Sequence, residues 1–92
     1  MIQIYGNDIK RAGVKIGWIE GDHIYDYTGK RIGYFGDNKI WNAAGDKIAH
    51  MEGEYVWLSN GKDKIRIEDN IKEVNGGALS DLCRAAIRLL LG

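Results

Sequence analysis

The chain has 92 residues, 45% hydrophobic and 28% charged, and its 13 basic and 13 acidic side chains cancel. That length suits one small domain, with ~60% of the unfolded surface available for burial, and the apolar content is too high for disorder. The balanced charge lacks the positive excess that phosphate-backbone binding needs, so no nucleic-acid partner is expected.

The N-terminus, Met1 to Asp8, has no basic start followed by an apolar stretch, so no secretion signal is expected. Met1 to Tyr5 offers an extra strand. A unit of 16 residues then recurs at about 8–23, 24–39, 40–55 and 56–72. Gly13, Gly29, Gly45 and Gly61 mark one register. Ile16, Ile32 and Ile48 mark another, with Ile65 one place late, as though Lys62-Asp63-Lys64 carried an insertion. Tyr25, Trp41 and Trp57 form a third column. A fixed period means one supersecondary unit used several times.

Each unit reads as short strand, glycine turn, short strand, second turn. In the second unit Ile24-Tyr25-Asp26-Tyr27 alternates, Thr28-Gly29-Lys30 turns, and Arg31-Ile32-Gly33-Tyr34-Phe35 returns. The strand runs are rich in Ile, Val, Tyr and Trp, which suit a pleated, half-buried surface. Thirteen glycines without a proline supply tight turns. A lone hairpin is marginal in water, so the four must share a core, and arrangement around an axis lets each cover the next. The expected fold is mainly β: four β-hairpin repeats around a pseudo-four-fold axis, closed as a small radial barrel over residues 1–75. The isoleucine column is expected in its core, joined by Ile19, Phe35 and Met51, with Glu68 closing that last column.

After Gly76-Gly77 the period changes. Leu79, Leu82, Cys83, Ala86, Leu89 and Leu90 share one helical stripe, opposite Ser80, Asp81, Arg84 and Arg88. Residues 76–92 are therefore expected to form one C-terminal amphipathic α-helix packed on the β domain. At ~21 Å it is too short for a membrane span, which needs ~20 apolar residues.

The tandem unit Ile-Tyr-Asp-x-x-Gly-x-x-Ile-Gly at 24–33 is echoed by Ile-Trp-Asn-x-x-Gly-x-x-Ile-Ala at 40–49. Partial copies run from Ile9 to Gly17 and from Val56 to Ile65. Over roughly residues 8 to 72 this pattern resembles the four-fold β-flower family. The resemblance implies hairpin petals around a pseudo-four-fold axis, an apolar interior and, in some members, an appended helix. It brings no established activity, so no catalytic residue carries over. Two departures stand out. The first unit has Ile9 and Lys10 where later units have an aromatic and an acid. The fourth has the apparent insertion, and Arg66 in place of the small residue after isoleucine.

The aromatic columns carry the functional reading. Tyr25, Trp41 and Trp57 form one partial ring; Trp18, Tyr34 and His50 form another, with Ile67 as its fourth member. Such rings can line an apolar mouth that takes a lipid, an acyl chain or an apolar peptide, although aromatics also simply fill small cores. The alternative is an assembly scaffold in which the leucine-rich helix end, Ile87, Leu90 and Leu91, meets a partner. Asp26, Asp46, Asp63 and Asp69 read as turn residues. His23, His50 and Cys83 lack a recognisable metal spacing, and no catalytic motif occurs. Hence no enzyme activity, cofactor or metal is expected. A monomer or small homo-oligomer in the cytoplasm is expected, with a hydrophobic small molecule or a protein as partner. The lone Cys83 fits a reducing compartment.

Overall fold

Alternation sets the first strand. In β1 (Ile2–Tyr5), Ile2 and Ile4 are buried while Gln3 and Tyr5 are exposed. The computed structural model describes residues 2–92 and, of residues 70 and 71, the backbone alone. Met1, included in this strand by the sequence reading, lies outside the described residues. Eight further strands follow as a meander: β2 (Asp8–Arg11), β3 (Val14–Glu20), β4 (His23–Asp26), β5 (Arg31–Gly36), β6 (Lys39–Asn42), β7 (Lys47–Glu52), β8 (Tyr55–Leu58) and β9 (Lys64–Arg66). Then come α1 (Ile67–Glu73), β10 (Val74–Asn75) and α2 (Asp81–Leu91).

The hairpins β2–β3, β4–β5 and β6–β7 share one register device. Fully buried Ile9, Ile24 and Ile40 face Gly17, Gly33 and Ala49 across the ladder. Next to each pair the register shifts, leaving Ile16, Ile32 and Ile48 as the extra residues of a β-bulge. These isoleucines are therefore half-buried against the core, while the innermost layer is Ile9, Ile24, Ile40 and Val56. Burying each such isoleucine fully contributes about 1.5–3 kcal/mol.

The fourth hairpin has no bulge: Val56 faces Ile65 and Trp57 faces Lys64. Ile65 thus falls in step with Gly17, Gly33 and Ala49, and the second strands of all four units keep an unbroken 16-residue period. The insertion inferred from sequence is absent. The shortened element is the first hairpin, which turns through Ala12 and Gly13 alone. It follows that Arg66, not Ile67, continues Trp18, Tyr34 and His50, and that Ile67, not Glu68, continues Ile19, Phe35 and Met51. Backbone bonding confirms this. The amides of Ile19, Phe35, Met51 and Ile67 donate to the carbonyls of Asn7, Asp22, Asn38 and Glu54 at 2.8, 3.0, 2.7 and 2.9 Å.

Those four carbonyls belong to two-residue turns, one joining β1 to the first petal and three joining successive petals. Of these turns, Asp37-Asn38 has both residues left-handed, at φ 49° and 59°, as a primed hairpin turn requires. The turns inside the later petals, at the opposite end of the strands, are side-chain built. Asp26 Oδ1 accepts from the amides of Thr28 and Lys30 at 2.9 and 3.1 Å. Asn42 Oδ1 accepts from those of Ala44 and Asp46, each at 3.0 Å. The acid or amide after the aromatic is thus a turn residue.

The ten strands form one sheet in the order β10-β1-β2-β3-β4-β5-β6-β7-β8-β9, with β10 parallel to β1. The expected closure into a barrel does not occur: β9 and β10 are not paired, and α1 joins them. Helix α1 replaces the end of the fourth repeat expected from sequence. After Arg66 the chain reads Ile67-Glu68-Asp69-Asn70-Ile71-Lys72-Glu73, without glycine, acidic in its first turn and basic in its last. That order matches the helix dipole.

The second helix covers the inner face of the sheet. Leu82, Cys83, Ala85, Ala86 and Ile87 are buried. A Cβ at Gly33 would lie 2.5 Å from Leu90 Cδ1, and one at Gly17 would lie 3.3 Å from Leu91 Cδ1. Small residues in these strands therefore make room for the end of α2. Ser80 caps the helix start, its Oγ accepting from the Cys83 amide at 3.1 Å. Arg84 donates to the carbonyls of Val74 and Gly77 at 2.6 and 3.1 Å, tying the return loop to the helix. Arg11 Nη2 donates to the Leu91 carbonyl at 2.8 Å.

Candidate functional site

Pleating alone decides where the aromatic columns go. Tyr25, Trp41 and Trp57 each follow a fully buried residue, namely Ile24, Ile40 and Val56, and so turn to the outer face. Trp18 likewise lies between buried Gly17 and Ile19. The sequence reading placed these rings around an apolar mouth. They lie instead on the outside of the sheet, half-buried, because the inner face is already covered by α2.

Across the junctions between petals the two columns meet. Trp18 pairs with Tyr25, Tyr34 with Trp41, and His50 with Trp57. The first two pairs stack at 5.5 and 5.0 Å between ring centroids, with interplanar angles of 12° and 19°. Stacked aromatic pairs contribute about 0.5–1.5 kcal/mol beyond the area they bury. All six aromatic site residues expected from sequence are thus brought together as three cross-strand pairs in one outer band.

Cations sit on this band. Lys15 Nζ lies 5.1 Å from the Trp18 centroid, Arg31 Cζ 5.2 Å from that of Tyr34, and Lys64 Nζ 4.9 Å from that of Trp57. Two members were missed in the sequence: His23, 5.8 Å from the Tyr34 ring, and Tyr55, 6.2 Å from the Trp57 ring. Their signal was the strand alternation itself, since each stands two places before Tyr25 and Trp57. The band does not encircle the molecule. Lys10 takes the aromatic place in the first petal and Arg66 takes it in the fourth.

The other candidates resolve simply. Ile87 is fully buried, and Leu90 and Leu91 are half-buried against Gly33 and Gly17, so the helix end expected as an interface packs on its own sheet. Cys83 is a buried free thiol whose pKa burial pushes up to about 11, against the opposing charge of Arg84. The Thr28 hydroxyl, with the backbone amides of Lys30 and Thr28, holds the Asp26 carboxyl below its ordinary value. His23 Nε2 and His50 Nε2 lie 3.3 and 3.5 Å from the carboxylates of Asp22 and Glu52. Among the described residues no group of three His, Cys, Asp or Glu side chains could hold a metal ion. No described helix is long and apolar enough to cross a membrane. A cleft of about 340 Å³ opens at the seam, lined by Ile2, Ile65, Val74 and Leu89 with Arg11 and Glu73.

A petal-built sheet with a pseudo-four-fold axis and a helix on its inner face defines the class. The family described as 4-fold beta flower protein matches residues 9–75, more than half of the chain, and the chain belongs to that family. No curated protein and no solved structure matches it.

Proposed function

We propose that this chain is a non-catalytic recognition domain, and that its outer aromatic band receives an apolar group of a partner, such as an apolar peptide segment. The observation that supports this reading is the threefold recurrence of half-exposed cross-strand ring pairs with cations against their faces. Large, rigid aromatic side chains with a polar margin are the residues that dominate binding surfaces. The cations favour a planar or apolar group that also carries negative charge. A non-catalytic role is supported by the carboxylates engaged in turns and by histidines whose near neighbours are exposed acids. A cytoplasmic setting is supported by the single reduced cysteine. The assembly alternative through the helix end has less support, because Ile87 has no exposed area to offer.

The test uses 8-anilinonaphthalene-1-sulfonate, a planar apolar anion, titrated against the folded protein at low salt and read by quenching of tryptophan emission. Trp41→Ala and Trp57→Ala, each with an unchanged far-UV spectrum, are expected to weaken binding about fivefold, or about 1 kcal/mol. Unchanged affinity in both variants would sink the reading.

A further inference from the structure

Strand direction sorts the charges of this neutral chain to its two ends. β2, β4, β6 and β8 all run from the two-residue turns that precede the petals toward the turns within petals. The first end carries Glu20, Asp22, Asp37, Glu52, Glu54 and Glu68, all exposed, against Lys39 and Arg66. The opposite end carries Lys15, Lys30, Arg31, Lys47, Lys62 and Lys64, all exposed. Its carboxylates are Asp26, which accepts turn amides, Asp63, which accepts from Asn60 Nδ2 at 2.6 Å, and exposed Asp46, while Lys15 also pairs with Asp8 at 3.1 Å. The helices follow the same polarity, with Glu68, Asp69 and Asp81 in their first turns and Lys72 and Arg88 in their last. Among the described residues Glu20, Asp37 and Glu54 at one end, and Lys47 and Lys62 at the other, have no ion-pair partner.

We infer that copies of this chain associate head to tail along the pseudo-four-fold axis, the basic end of one copy meeting the acidic end of the next. Two observations favour a second copy over a foreign polyanion. The net charge is zero, so a polyanion attracted by one end is repelled by the other. The two sets also share one period. Glu20 and Glu52, with Gly36 at the place between them, follow the same 16-residue period as Lys15, Arg31 and Lys47, so a common rotation aligns more than one pair at once. The contact is heterologous, since different surfaces of the same chain meet, and each copy leaves one end of either sign open. Exposed ion pairs are individually weak and screened by salt, so the association belongs to low ionic strength. It shares Lys15, Arg31 and Lys64 with the aromatic band, so the variants that test it leave those three residues unchanged.

The test is sedimentation velocity of the full chain at about 0.01 M and about 0.3 M salt, where the Debye length falls from about 30 Å to well below 10 Å. The expected result is a sedimentation coefficient that rises with protein concentration at low salt and returns to the monomer value at high salt. Two variants then separate the ends: Lys47→Gln with Lys62→Gln, and Glu52→Gln with Glu54→Gln. Both pairs are exposed turn or strand-end residues, and far-UV circular dichroism checks that the fold survives. Each variant alone should stay monomeric at low salt, whereas their equimolar mixture should form a pair and nothing longer. A monomer at low salt, association that persists in either single variant, or a mixture that fails to pair would overturn the proposal. So would wild type that stays monomeric yet binds poly-glutamate, which would assign the basic end to a foreign acidic chain.

Discussion

The first three petals and the closing segment obey different local rules. In β2–β3, β4–β5 and β6–β7 a buried isoleucine faces a glycine or alanine beside a bulge, and the chain turns back into the sheet each time. In the fourth petal Ile65 takes the small-residue place, the bulge is absent, and the chain leaves the sheet through α1 to return as parallel β10. The repeated chemistry produces repeated petals. Where the small residue and the bulge are both lost, so is the four-fold pattern, and the seam cleft opens at that point.

The sharpest way to break this contrast is to enlarge a small residue. Gly33→Val places atoms 2.5 Å from both Leu90 Cδ1 and the Trp41 carbonyl, and is expected to cost about 3 kcal/mol or more in urea denaturation. On the same strand Gly36 has nothing within 4 Å, so Gly36→Ala should stay within about 0.5 kcal/mol. Equal losses at both sites would remove the special role of the inner glycines. Next in size, Ile40→Ala should cost about 2–5 kcal/mol, and bulged Ile48→Ala about half as much, since only the first is fully buried.

Smaller effects come from single groups. Replacing the cap Ser80 by Ala should lower stability by about 1 kcal/mol, read as a shift in the urea midpoint. Cys83 should resist a disulfide-exchange reagent in the native state at neutral pH and react on unfolding. Its thiol pKa is raised by folding from 9.0 to about 11, so its contribution is present below the unfolded value and is lost as pH rises through about 11. The smallest effect separates two turns of equal geometry. Asp26 titrates and Asn42 does not. Because the Asp26 pKa is lowered on folding, its contribution is present above the unfolded value and fades as pH falls through the folded one. Amide exchange at Thr28 and Lys30 should therefore quicken in acid relative to Ala44 and Asp46; parallel behaviour would contradict the Asp26 account.

Much of this was legible in the chain. The period, the glycine turns and the helical stripe after Gly76-Gly77 follow directly from residue spacing. The slip at Ile65 had a physical cause. A bulge lets two adjacent residues lean inward, so Ile32 and Gly33 read as one apolar place followed by a small one, and Ile65 was matched to the wrong member of that pair. Whether a bulge forms depends on cross-strand partners that spacing alone does not show. Two-residue β10 is too short to carry a pattern, and α1 was hidden by being read as the end of a repeat. The aromatic columns were found, but their face was not. Periodicity tells which residues are equivalent, and only the occupied inner face tells which side they take.

The central claim is that α2 fills the inner face and leaves the aromatic band outside. Nuclear Overhauser contacts between Leu90 methyls and the Gly33 Hα, and between Leu91 methyls and the Gly17 Hα, test it most directly. Their presence, with Trp41 and Trp57 rings showing no contact to α2, is the expected result. Contacts from α2 to those tryptophan rings, with none to the glycines, would put the rings inside and contradict the account.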